Sequence, residues 1–339
     1  MPSITTPLWL LSSTTALSVT SMLFCIPASA ATFSDVPKNH FAYDAIGYLS
    51  DQKILAGYSD DTFKPDRKVN RAEALKIIAS NFIPKSNSIQ LKSTAFTDVP
   101  DNAWYLPSIE WAVTKKVIDG PPKTTAFHPT RSITKAEFLK MLFTAYGVDI
   151  KSFSDISLPL SSDVLDTGAW YYPYLRYAVA TDTTAVSDAG LFGPNRELSR
   201  GDVALLLYRF TLYRNNQRTQ ELLTQTKQEV EDVITNLSKG KVSNAEFASA
   251  RAILIARAAL LTEPDAPVVK VAVKMAEGYR ALTRAYRAGV NGDTAGVIKL
   301  SADASTLAGQ ARKISPEAKT LADQLDQYSK SFAAQAKGK

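Results

Sequence analysis

Phe63-Lys-Pro-Asp-Arg-Lys-Val-Asn-Arg71-Ala-Glu73 returns twice in altered form, as Phe127-His-Pro-Thr-Arg-Ser-Ile-Thr-Lys135-Ala-Glu137 and as Phe192-Gly-Pro-Asn-Arg-Glu-Leu-Ser-Arg200-Gly-Asp202. In all three, Phe-x-Pro stands eight residues before a basic residue, and an acid follows two later. Working outward, an opening of the form Phe-[Ser/Thr]-Asp-[Val/Ile] precedes each copy, read at Phe33, Phe96 and Phe153. A fixed internal period means that one supersecondary unit is used three times.

Each opening leads to an aromatic, Phe41, Trp104 or Trp170, and then to a stretch with helical spacing. Ala45, Ile46 and Leu49 mark it in the first copy, and Ile109, Ala112 and Val113 in the second. A turn around Gly57 and Gly120 follows, where glycine permits positive φ. Phe-x-Pro closes the turn and a second helix begins at Asn70, Thr134 or Ser199. Helix, loop, helix is the unit.

Asn70, Thr134 and Ser199 are N-cap residues, and Glu73, Glu137 and Asp202 three positions on complete capping boxes. Val69, Ile133 and Leu198 precede the caps and pair as staples with Ala74, Phe138 and Val203. These features have a sufficient architectural explanation. The basic residue does not: Arg71, Lys135 and Arg200 occupy the first helical position, where the helix dipole disfavours a cation. Two readings stay open from the residues alone. The cation joins free helix amides in gripping a carboxylate or phosphate, or it is a solvated charge paired with a nearby acid such as Asp66.

The unit resembles the S-layer homology domain, whose hallmark is a Thr-Arg-Ala-Glu motif after a Gly-rich turn and Phe-x-Pro. The resemblance implies three helical units in a pseudo-threefold arrangement around a central three-helix bundle. It further implies non-covalent anchoring to the cell wall through grooves between units that hold pyruvylated secondary cell-wall polysaccharide, or another peptidoglycan-linked polymer. Polysaccharide-binding residues carried over on the motif are Arg71, Lys135 and Arg200, with Gly57, Gly120, Trp104 and Trp170 lining the grooves. Lys135 departs from the motif arginine and lacks its planar fork. The third copy has Gly201 and Asp202, a turn glycine displaced to Gly190, and nine extra residues between Phe153 and Trp170. Its groove is therefore expected to be the most altered.

The first thirty residues carry no Lys, Arg, Asp or Glu and end in Ala28-Ser-Ala30, which reads as a signal peptide of residues 1–30 lacking a positive start. Cys25 is the only cysteine, so cleavage after Ala30 leaves no thiol chemistry. No later stretch is long and apolar enough to span a membrane. The expected location is the cell wall or S-layer. Repeats are assigned to 31–92, 93–150 and 151–213, and a C-terminal region to 214–339. Residues 31–213 hold 20 basic and 20 acidic residues, whereas 214–339 hold 19 and 13. The net charge of +6 thus belongs to the C-terminal region. Nothing there resembles a nucleic-acid-binding ladder.

After Tyr213 the chain reads as an antiparallel bundle of five helices, giving a mainly α protein. Leu223, Thr226, Val230, Val233 and Leu237 keep heptad-like spacing until Gly240. Ser243 with Glu246 reads as a capping box, Glu263-Pro-Asp-Ala-Pro267 as a break, Asp293 as a cap and Ser315-Pro316 as a helix start. Tyr279, Arg280, Arg284, Tyr286 and Arg287 form either a binding face or core tyrosines with solvated arginines. No metal-ligand cluster, phosphate loop or nucleophile-base set is present, and neither His40 nor His128 pairs with a nucleophile. No cofactor, metal or catalytic residue is assigned. Two functions from different classes follow: a wall anchor acting through its grooves, or an envelope scaffold whose bundle self-associates while the repeats dock protein.

Overall fold

The computed structural model describes residues 33–83, 96–120, 123–187 and 189–338. The expected signal peptide, the 92/93 boundary and the Pro121-Pro122 step of the second turn lie outside them. The fold is mainly helical, as the periodicity predicts.

Each repeat contributes two helices: α1 Tyr43–Asp51 and α2 Arg71–Ala79, α3 Leu106–Thr114 and α4 Lys135–Ala145, then α5 Tyr172–Ala180 and α6 Arg200–Arg214. Packing runs between repeats. The first helix of each unit lies on the second helix of the unit before it in the cycle: α3 on α2, α5 on α4 and α1 on α6. The second helices meet at the centre, where Phe210 of α6 touches the rings of Phe143 and Tyr146 at 5.2 Å. The staple residues Val69, Ile133 and Leu198 are fully buried.

Main-chain hydrogen bonds close the cycle. Val69 N donates to Leu198 O, Ile133 N to Val69 O and Leu198 N to Ile133 O, at 3.0–3.1 Å. All three second helices carry complete capping boxes on Asn70, Thr134 and Ser199.

The third opening is not at Phe153. Asp35 accepts from the amides of Phe63 and Lys64 at 2.8 and 2.7 Å, and Asp98 from those of Phe127 and His128 at the same distances. In the third unit Asp163 does this, accepting from Phe192 at 3.2 Å and Gly193 at 2.7 Å. The segment 151–160 is therefore an insertion that precedes the third opening. Phe153 is buried against Tyr177, with ring centroids 5.9 Å apart, and Asp155 pairs with Arg257 of the C-terminal region.

Five long helices follow: α7 Thr219–Ser238, α8 Val242–Thr262, α9 Pro267–Val290, α10 Thr294–Ile314 and α11 Lys319–Lys337. Consecutive helices pack together, so the bundle is antiparallel as expected. Gly240 ends α7 with φ +68°, and Asp293 caps α10 by accepting from Gly296 N. Ser243 with Glu246 is not a capping box. Lys241 precedes α8 without a side-chain cap, and Glu246 instead holds Arg287 at 2.6 and 2.9 Å. Tyr279 and Tyr286 are core residues.

Bundle and repeats share one core. Helix α8 lies on α5, and the apolar cluster of the repeats continues through Ala250–Ala259 of α8 into Val269 and Val273 of α9. Buried ion pairs sit along this seam. Asp182, just after α5, meets Arg218 before α7 and Arg209 of α6, and burial pushes its carboxyl up despite both arginines. Glu229 of α7 takes a two-pronged grip from Arg251 of α8 at 2.6 and 2.7 Å. The third guanidinium nitrogen of Arg251 donates to Leu160 O in the insertion at 2.7 Å.

Candidate functional site: the clefts between repeats

The cap places each motif cation at a seam. Arg71 Nε donates to Phe127 O at 3.1 Å, Lys135 Nζ to Phe192 O at 2.5 Å, and Arg200 Nε to Phe63 O at 2.8 Å. In every case the acceptor is the Phe-x-Pro carbonyl of the next repeat in the cycle. The residue after that phenylalanine is left-handed in all three units, with φ of 57° at Lys64 and 60° at His128 and Gly193. This conformation turns the chain so that the opening aspartate can take two consecutive amides while the carbonyl faces the neighbouring helix.

The amides expected to be free for an anion are already used. Arg71 N and Ala72 N donate to Arg131 O and Pro129 O; Lys135 N and Ala136 N to Arg196 O and Pro194 O; Arg200 N and Gly201 N to Arg67 O and Pro65 O. The third amide of each helix goes to its own cap. Any anion at these seams meets side chains instead of a helix terminus. Pairing with Asp66 does not occur either: the acid near Arg71 is Glu137 of the next repeat, at 4.0 Å. Glu137 itself is held by Arg131: burial pushes its carboxyl up, but the hydrogen bonds from Arg131 and Thr134 N, together with the charges of Arg131 and Arg71, keep it below the usual range.

A cleft of about 250 Å³ opens beside Arg71. Its walls come from three repeats: Arg71 of the first, Phe96 and Val117–Asp119 with Lys140 of the second, and Trp170 of the third. Lys140 lies 5.8 Å from the Trp170 ring. Burial lowers the arginine's affinity for its proton, and Glu137 only partly offsets this. A half-desolvated cation of this kind gains from an incoming anion. Trp170 and Trp104 stay more than half exposed, unusual for large aromatics and suited to stacking against a sugar face.

The cyclic arrangement defines two equivalent places. Around Arg200, the guanidinium lies over Tyr58 and Phe63 at 5.0 and 4.4 Å, and Lys76 sits 4.8 Å from the Trp104 ring. Around Lys135 the corresponding residues are Leu205 and Phe41. Phe41 lies against Gly201, where an added Cβ would come within 3.1 Å of its ring. Lys135 is nearly buried, and loss of water with repulsion from Arg196 lowers its pKa to about 8. Only the Lys135 position lacks both the tryptophan and the second lysine. The sequence leads us to expect the third repeat's groove to be the most altered; among the three clefts, the position lacking both groups is the one where Lys135 of the second repeat meets Phe192 of the third.

Gly57 and Gly120 are not at positive φ. Gly57 is small because Phe33 packs on it: a Cβ would fall 2.1 Å from that ring. At Gly120 a Cβ would meet Val113 at 3.1 Å. Gly120 is not among the residues that line the Arg71 cleft.

A profile of the S-layer homology domain matches residues 32–75, 95–139 and 162–204. The N-terminal part is three S-layer homology domains. The third match begins at residue 162 and excludes Phe153, in agreement with the role of Asp163. Over 208 residues the chain is 29% identical to the surface-layer 125 kDa protein of Lysinibacillus sphaericus, covering 58% of this chain and 16% of that protein. It is 34% identical over 116 residues to the cellulosome-anchoring protein of Acetivibrio thermocellus, covering 34% of this chain and 26% of that protein. Exoglucanase XynX of Acetivibrio thermocellus shares 25% identity over 189 residues, 55% of this chain and 17% of its own length. The chain thus spans about a sixth to a quarter of the length of these three relatives. S-layer homology domains with surface-layer relatives support a secreted, S-layer-type protein of the cell wall.

Proposed function

We propose that this protein is a non-enzymatic envelope component anchored by the clefts of its S-layer homology domains, which hold an anionic, pyruvylated secondary polymer of the wall. The observation that carries this reading is the Arg71 cleft, where a desolvated guanidinium, Lys140 and the exposed face of Trp170 converge. Cations suit the carboxylate of a pyruvyl ketal, and the indole suits the apolar face of the sugar bearing it. The Arg200 position repeats this set with Lys76 and Trp104, and the Lys135 position does not. Two clefts on one closed ring engage one polymer with raised effective concentration. Because matched segments occur both on surface-layer relatives and on an exoglucanase, the domains are read as the anchor and the helical bundle as the part displayed.

Co-sedimentation of the full mature chain with wall sacculi tests the proposal, using sacculi intact and after acid removal of secondary polymer. Binding that disappears on stripping supports the anchor. Equal binding to stripped sacculi, or none to intact ones, refutes it and leaves the scaffold reading, with self-association through the bundle, to be tested by sedimentation velocity.

A further inference from the structure

Where α5, the 151–160 insertion, α8 and α9 meet, the structure gathers four arginines away from the clefts. Arg176 comes from α5, Arg257 from α8, and Arg280 and Arg284 from one face of α9 at i and i+4. The acids among them are Asp155 and Glu277. Asp155 pairs with Arg257 and lies within electrostatic reach of Arg176 and Arg280. Glu277 is taken by Lys274 at 2.9 Å, with Arg257 at 3.9 Å. Neither Arg280 nor Arg284 has a hydrogen-bond or ion-pair partner among the described residues. Arg176 is 5% exposed, spends one nitrogen on Ile150 O at 3.1 Å, and leaves its buried Nε without an acceptor.

Such a grouping costs stability. Like charges repel, and a buried donor without a partner forfeits the water it once held. Solvation alone explains exposed Arg284 but not half-buried Arg280 or buried Arg176. Guanidinium groups present flat forks that match the paired oxygens of phosphate and carboxylate. The positive excess of residues 214–339 has a local focus here.

We propose that this junction is a second anion-binding site, independent of the inter-repeat clefts, for a ligand presenting two or more closely spaced phosphate or uronic-acid carboxylate groups. Asp155 is its internal competitor: it sits on Arg257 from an exposed position and occupies the place an incoming anion would take.

Calorimetric titration of the full mature chain with tripolyphosphate and, separately, with trigalacturonate tests this. Saturable binding of either is expected, and the probe that binds names the ligand chemistry. Arg280→Gln/Arg284→Gln, at positions without partners to lose, should weaken binding by about tenfold or more, because charge-assisted contacts are removed. Asp155→Asn should tighten it severalfold. Saturable binding should persist in Arg71→Gln/Arg200→Gln, which separates this site from the wall anchor. Binding of neither probe, or binding that survives the Arg280/Arg284 exchange, overturns the proposal. So does an Asp155→Asn protein that binds no tighter.

Discussion

Replacing Arg251 by methionine tests whether the helical bundle and the repeats form one cooperative unit. The guanidinium serves two buried partners at once, Glu229 through two bonds of 2.6 and 2.7 Å and Leu160 O through a third of 2.7 Å. Methionine fills the space but leaves a buried carboxylate without its counter-charge, a loss of about 3–5 kcal/mol. The stranded carbonyl of Leu160 adds about 1 kcal/mol. With a urea slope of about 3 kcal/mol per M, the midpoint should fall by about 1–2 M. Beyond residue 30 the tryptophans are Trp104, Trp111 and Trp170, all in the repeats, so fluorescence reports the repeats and far-ultraviolet circular dichroism reports helices throughout. Both transitions should move together in Arg251→Met. Burial already pushes the Glu229 carboxyl up against the pull of Arg251. Without the arginine, protonation relieves the defect, which should shrink toward acid pH, and Glu229→Gln in the same background should recover part of the loss. A fluorescence transition that stays in place while circular dichroism shifts would show two independent units and refute the shared core.

Arg71→Ala and Arg200→Ala should each weaken sedimentation with intact sacculi by about tenfold, whereas Lys135→Ala should change it least; the largest loss at Lys135 would sink the ranking of the clefts. Lys135 also predicts a pH signature. Its pKa falls from 10.5 to about 8 on folding, so the unfolded chain binds more protons between those values and stability rises with pH across that window. Relative to Lys135→Met, the wild type should gain up to roughly 3 kcal/mol between pH 8 and 10.5, and a constant difference in urea midpoints would exclude it. Gly57→Ala should destabilise by about 1–3 kcal/mol because its Cβ strikes Phe33 and Thr62 O. Gly47→Ala, inside α1 with open space around it, should instead stabilise by about 0.5–1 kcal/mol in the same melts.

What the chain revealed beforehand was local. Capping boxes, staples, the stop at Gly240 and the cap at Asp293 each depend on residues within about one turn of a helix end, no more than five apart, and all three repeats declared their second helices this way. The false opening at Phe153 arose because Phe153-Ser-Asp-Ile satisfies the short pattern in full, whereas the true one, Ser161-Ser-Asp163-Val, lacks its phenylalanine. A longer-range constant would have found the right one: opening aspartate and Phe-x-Pro lie 28, 29 and 29 residues apart in the three units. The lost capping box at Ser243 has a tertiary cause, since Arg287 on α9 claims Glu246. The shared core was hidden because the alanines of α8 look the same whether they face their own bundle or a neighbouring domain.

The motif cation finds its explanation in the closed ring. A charge at the first helical position opposes the dipole, yet here it donates to the next repeat's carbonyl while the adjacent main-chain amides are consumed by that same neighbour. The position is architectural in all three copies, because each cation stitches one seam of the cycle. That duty needs only one donor, so lysine suffices at 135. Arginine at 71 and 200 satisfies the seam through Nε and keeps its outer nitrogens. At Arg71 these lie beside the open cleft; at Arg200 one of them takes Ala56 O at 3.0 Å. Structural need therefore fixes a cation at every seam, and what lies around it decides whether the seam is also a site. Lys140 with Trp170 and Lys76 with Trp104 supply the second charge and the stacking face; Leu205 with Phe41 supplies neither. Exchange at these outer positions, Leu205→Lys with Phe41→Trp, should therefore add wall binding at the Lys135 seam without altering the ring. Unchanged sedimentation by that double variant, with the fold intact by circular dichroism, would mean that the arginine fork itself is indispensable to the ligand.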